Sequence, residues 1–212
     1  MSRAPRRGRS LEPDGSVLRW PGARARFALF GEALWTGILM AITCVPIVTW
    51  PAAVAAGTAH LRRYIHAEAT PASEFFRDVW RALPGGALLG GVTVALGALA
   101  GVNLALAAGG MIPGGVPAAI VAVIIGGGAF VITVVAAGVW SPGVRWRHLL
   151  RAAPRLVVAD FSSAAFTVVA LILAGVITWQ FLPLGVPALG LVAFALVAIA
   201  ERRLVRLADP LR

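Results

Sequence analysis

Apolar runs of about 20 residues, the length that spans the hydrocarbon core of a bilayer, alternate along this chain with short clusters of arginine. The apolar stretches fall at 27–50, 51–61, 85–108, 116–140 and 156–205, the last broken near residue 182. Only 13% of the 212 residues are charged, about half the share a soluble domain needs to cover its surface, and the mean hydropathy is +0.85. A polytopic, all-α membrane protein is the fold class these features predict.

The arginines orient it. All 19 basic residues are arginine, against nine carboxylates, and they fall in four clusters: 3–26, 62–81, 145–155 and 202–212. A net charge of +10 spread over a soluble surface would point to nucleic acid. Confined between apolar runs, it marks the cytoplasmic side, and the uncharged breaks at 109–117 and 180–187 face outward. The chain is thus inside before residue 27 and inside again at Arg62, so 27–61 crosses an even number of times, as a hairpin or a re-entrant loop broken at Pro46 and Pro51. With 85–108 going out, 117–140 returning, 156–179 going out and 187–205 returning, the expected count is about six passes, both termini being cytoplasmic.

Sliding the chain against itself by 70 residues aligns FRDVWRALP at 76–84 with WRHLLRAAP at 146–154, and MIPGGVPA at 111–118 with FLPLGVPA at 181–188. The first register matches Arg77, Arg81, Ala82 and Pro84 to Arg147, Arg151, Ala152 and Pro154. The second matches Pro113 and Pro117 to Pro183 and Pro187. A looser copy, VPIVTWPA at 45–52, carries Pro46 and Pro51. Three units of one orientation are expected, related by a pseudo-rotation about the membrane normal. The alternative is that proline and glycine recur in membrane turns for backbone reasons alone. The expected organisation is a basic cytoplasmic tail at 1–26, a first hairpin at 27–66, an interfacial helix plus second hairpin at 67–140, and an interfacial helix plus third hairpin at 141–212.

The basic segments 70–83 and 145–153 have helical spacing. Phe75, Phe76, Val79 and Trp80 form one apolar face, with Thr70 and Pro71 at its start. Trp146, Leu149, Leu150 and Ala153 form the other, with Arg147 and Arg151 opposite. Both read first as anchors among anionic headgroups, and alternatively as docking surfaces in which Arg77, Trp80, Arg81, Trp146, Arg147 and Arg151 touch a cytoplasmic partner.

Intramembrane carboxylates are costly and therefore functional candidates. Glu32 lies five residues into the first helix and Asp160 a similar depth into the fifth, each suited either to a buried ion pair or to a solute pathway. No carboxylate falls near the midplane. Glycine pairs at 86 and 90 and at 97 and 101 allow close helix contact, within the bundle or with a partner. Cys44, the only cysteine, reads as a packing residue and excludes an internal disulfide or CxxC pair. His60, His66 and His148 lack HExxH spacing, and no GxSxG, Walker A or GxGxxG context occurs. Neither a metal nor a cofactor is expected, and no enzyme. A cleaved signal is not expected either, because the basic stretch is long and Arg6-Arg7 is followed by polar residues.

The stretch from GEALW at 31–35 through VPIVTWPAAVAAGTAHLRRY at 45–64 to EFFRDVWRAL at 74–83 resembles the YesL-like family of small bacterial membrane proteins. Trp35, Pro46, Thr49, Ala52, Ala53, Arg62, Arg63, Phe75 and Phe76 carry the resemblance. Glu32-Ala33 and Trp50 depart from the pattern, and about a quarter of the chain is covered. That family has no established activity, but its genes often lie beside those for carbohydrate ABC importers. The resemblance implies a non-enzymatic accessory or regulatory role in carbohydrate transport at the bacterial cytoplasmic membrane, with ABC permease subunits as partners. The alternative is an autonomous small-solute transporter or channel built from parallel hairpin repeats, with Glu32 and Asp160 lining a hydrated cavity.

Overall fold

The computed structural model describes residues 23–110 and 114–208. Seven α-helices, and no strand, are found among the described residues: α1 (Ala23–Thr43), α2 (Trp50–Ile65), α3 (Ala72–Ala108), α4 (Gly115–Gly138), α5 (Trp146–Ala159), α6 (Phe161–Gln180) and α7 (Gly185–Ala208). Four helical stretches are long and apolar enough to cross a membrane: Ala72–Ala108, Gly115–Gly138, Ser162–Gln180 and Leu182–Arg202. The chain is a membrane protein with an all-α fold. The apolar part of α1, Phe27–Thr43, is shorter, and α2 has 16 residues, about 24 Å at 1.5 Å per residue.

The shortest of the core helices lies at the centre. Every residue of α2 from Pro51 to Leu61 is buried, because α1, α3, α4 and α7 all pack against it. Five alanines in this stretch, with Gly57, let the neighbours approach closely. A helix wrapped by protein has no lipid to satisfy, so α2 can carry Thr58 and His60 and need not be strongly apolar.

The contacts follow a cyclic order. Helices α2, α4 and α7 touch one another at the middle. Around them α1 packs on α2 and α7, α3 packs on α4 and α2, and α6 packs on α7 and, more thinly, on α4. Each outer helix therefore meets the inner helix that follows it in sequence and one other, and advancing by one unit carries α1 to α3 to α6. Helices α4 and α7 begin at Gly115 and Gly185, in the register of the 70-residue repeat, with Pro117 and Pro187 in their first turns. Helix α2 begins similarly, with Pro51 in its first turn after a single 3-10 turn at Ile47–Thr49. Pro183 lies in the corresponding 3-10 turn at Leu182–Leu184. Pro113 and residues 1–22 of the basic tail lie outside the described residues.

Two glycine crossings set the spacing. A Cβ on Gly90 would collide with the carbonyl of Val48, and one on Gly86 would press on Ala52 at 3.1 Å, so α3 lies directly against the start of α2. Gly190 and Gly37 face each other where α7 crosses α1. The second pair expected from sequence, Gly97 and Gly101, has nothing within 4 Å. The repeat also explains why α6 stands off α4. The residues 70 positions beyond Gly86 and Gly90 are Leu156 and Asp160, and the chain breaks at Asp160 instead of making a glycine crossing.

The segment expected as a separate interfacial helix at 70–83 is instead the first third of α3, which runs unbroken through Pro84. Proline within a membrane helix is tolerated where neighbours support the backbone around it. Next to Pro84, the indole of Trp146 donates to the carbonyl of Ala82 at 2.8 Å and ties α5 to α3, with Gly85 leaving room for the ring. The second basic segment is a helix of its own. Helix α5 passes through Pro154 and ends at Asp160.

Candidate functional site

Polar side chains converge where α2 ends, and they come from four helices. Glu32 of α1 reaches the fully buried His60 of α2, with Oε1 and Nε2 2.8 Å apart. The imidazole stands edge-on to Phe75 of α3, ring centroids 6.1 Å apart. Three residues along α3, Asp78 is completely buried and paired with Arg63 of α2, while Arg81 approaches its other oxygen at 3.5 Å. The guanidinium of Arg62 donates to the carbonyls of Gly138 (2.8 Å) and Trp140 (3.3 Å), which are exposed by the end of α4. These carbonyls have no intrahelical partner, and a cation at a helix C-terminus also opposes the macrodipole. Further along, His66 pairs with Glu201 of α7 at 3.3 Å. Thr58 adds a hydroxyl bond to the carbonyl of Ala137 at 3.3 Å.

This cluster ties α1, α3, α4 and α7 to the central helix. Its geometry is that of a clamp, since each buried charge has an opposite charge or several carbonyls against it. Two buried nitrogens, His60 Nδ1 and one terminal nitrogen of Arg63, have no hydrogen-bond partner among the described residues. Among the described residues no group of three or more His, Cys, Asp or Glu is placed to hold a metal ion.

Glu32 belongs to the clamp, and Asp160 does not. The structure puts Asp160 at the joint between α5 and α6, not five residues into a membrane helix. Its carboxylate accepts from the backbone N–H of Ser163 at 3.2 Å and from the hydroxyls of Ser162 and Ser163. It is the N-cap of α6, and it suits that place because an acidic cap satisfies free N–H groups and the helix dipole together.

The interfacial residues divide in two. Arg77 and Trp80 are exposed, Arg77 pairing with Glu74 on its own helix. Trp146 is buried, stacked on Trp140 with centroids 6.5 Å apart, so it positions α5 rather than offering a contact surface. Arg147 and Arg151 are exposed on α5, as is Arg155. None of these three has a carboxylate within ion-pair distance among the described residues. Arg81, Trp146 and Arg147 line one cavity of about 690 Å³ between α3 and α5.

Sequence reasoning missed His60 and Asp78. The spacing from Phe75 to Asp78, Val79 and Ala82 is the buried stripe of α3, and a carboxylate in it with arginines at 62 and 63 was the available signal. Compared with known proteins, the chain matches no family model, no curated protein and no solved structure.

Proposed function

We propose that this chain is a non-enzymatic accessory subunit of a transport complex in the bacterial cytoplasmic membrane. The carbohydrate ABC importer indicated by the YesL-like resemblance is the complex we favour. In this reading α3, α4, α6 and α7 cross the bilayer and both ends of the chain are cytoplasmic. Helices α1 and α2 form a re-entrant hairpin, which leaves the parity of crossings unchanged.

Two observations support the re-entrant hairpin. Its turn packs on Gly90, from which α3 continues to Ala108, about 27 Å further at 1.5 Å per residue. The turn is also apolar where it is most exposed, at Val45 (78%) and Ile47 (68%), as suits lipid better than water. Its polar groups are satisfied locally: Thr49 donates its hydroxyl to the carbonyls of Thr43 and Pro46, and the Trp50 indole donates to Thr93 at 3.1 Å.

The observation that carries the accessory role is the packed centre. Where α2 faces its neighbours, Ala52, Ala53, Ala55 and Ala56 are wholly buried, and Glu32 is held by His60 rather than facing a pore. A scaffold of this kind acts through its surface, and Arg151 and Arg155 are exposed cations of α5, with no carboxylate paired to them among the described residues, for an acidic cytoplasmic partner.

Gentle detergent extraction from the native host should recover permease subunits at stoichiometric ratio. Exchanging Arg151→Glu and Arg155→Glu should lower that recovery at least about tenfold, because like charges facing each other cost several kcal/mol, with the amount of protein in the membrane unchanged. Recovery of the protein alone, together with solute flux into liposomes containing only this chain, would instead establish the autonomous transporter.

A further inference from the structure

The cavity between α3 and α5 is amphipathic. Its floor is apolar, formed by Pro84, Leu88, Leu89 and Leu150, and the buried faces of Trp140 and Trp146 close it at the back. Three arginines belong to its lining, Arg81, Arg145 and Arg147, and no acidic residue does. Arg145 and Arg147 have no ion-pair partner among the described residues, so within that part of the chain two positive charges stand uncompensated.

The shape depends on particular residues. Gly85 has no side chain, and a Cβ there would strike the Trp146 ring, so glycine is what lets the indole seat against α3. Gly143 has φ +94°, a left-handed conformation that turns the chain between α4 and α5 and brings Arg145 to the rim. The cavity lies beside Pro84, where the polar first third of α3 gives way to its uncharged stretch. Cations at this depth meet phosphates, and the leucine floor meets acyl chains.

We propose that this cavity is a binding site for one anionic phospholipid, its phosphate held by Arg145 and Arg147 with Arg81 beside them, and an acyl chain laid over Leu88 and Leu89. Charge complementarity selects the occupant: a zwitterionic lipid brings its own cation, whereas phosphatidylglycerol supplies the missing negative charge. Basic pockets between membrane helices on the cytoplasmic side take anionic headgroups for this reason. Occupancy would fasten α5 to α3 across a gap that direct contact fills only sparsely.

The test uses the full-length protein in detergent, titrated with phosphatidylglycerol, phosphatidylcholine or inorganic phosphate, and native mass spectrometry to count retained lipid. One phosphatidylglycerol per chain should be retained in preference to phosphatidylcholine. The Arg145→Gln, Arg147→Gln double variant should lose about fivefold of that preference for each arginine, the worth of a basic residue beside an anionic leaflet. Leu88→Trp, which narrows the apolar part of the cavity and leaves every charge in place, should lower retention. Equal retention of phosphatidylcholine, or full retention by Leu88→Trp, would overturn the proposal. Inorganic phosphate displacing the lipid at matched concentration would overturn it in favour of a free oxyanion site.

Discussion

Replacing Asp78 with alanine should destabilise the bundle by about 3–5 kcal/mol, the cost of stranding one member of a buried ion pair. The carboxylate is completely buried, and Arg63, which it neutralises, is held by the central helix with little access to water. One guanidinium nitrogen of Arg63 already lacks a partner among the described residues, so losing Asp78 leaves most of the cation unsatisfied. The double variant Asp78→Ala, Arg63→Met should recover most of the loss, since it removes both charges along with the unpaired donor. Unfolding midpoints in mixed detergent micelles would measure both. A double variant as unstable as the single one would mean that the pair is not what holds α2 to α3.

The second large effect is expected at Gly90. Alanine there would put a methyl group into the carbonyl of Val48, a backbone atom in a proline-bounded turn that cannot swing aside as a side chain end can. The helices must separate, and overpacking of this kind costs about 1–3 kcal/mol. Gly97→Ala, about two turns further along the same helix, meets nothing within 4 Å. It should be neutral or stabilise by about 0.5–1 kcal/mol, the intrinsic advantage of alanine in a helix. Opposite signs for two identical substitutions in α3 would locate the contact between α2 and α3. Equal effects would remove the glycine crossing from the account.

These contrasts also mark what the sequence made legible. The apolar runs and arginine clusters pointed to helices in a membrane because length and charge placement constrain nothing else so tightly. The 70-residue register anticipated the common start of α4 and α7 at Gly115 and Gly185. The same register hid a difference, for Gly86 and Gly90 correspond to Leu156 and Asp160. Asp160 turns out to cap α6, a role that depends on where α5 stops and not on depth in the bilayer. Pro84 reads as a helix end because proline lacks a donor, yet α3 continues unbroken through it. His60 and Asp78 were obscured for a related reason. Their meaning lies in their partners Glu32 and Arg63 on other helices, and spacing along one helix does not reveal it. Helix α2 falls below the usual hydropathy of a membrane span because protein, not lipid, surrounds it.

The central claim is the arrangement of the chain in the bilayer, and cysteine accessibility tests it most directly. In a Cys44→Ala background, single cysteines are placed at Val45, Gly110 and Glu68 and exposed to a membrane-impermeant maleimide from outside intact spheroplasts, then after permeabilisation. Gly110→Cys, at the turn between α3 and α4, should label from outside. Glu68→Cys, between α2 and α3, should label only after permeabilisation, and Val45→Cys should resist labelling in both conditions because the proposed re-entrant hairpin puts its turn within the hydrocarbon. Labelling of Val45→Cys from outside as readily as Gly110→Cys would contradict the re-entrant hairpin and restore six full crossings.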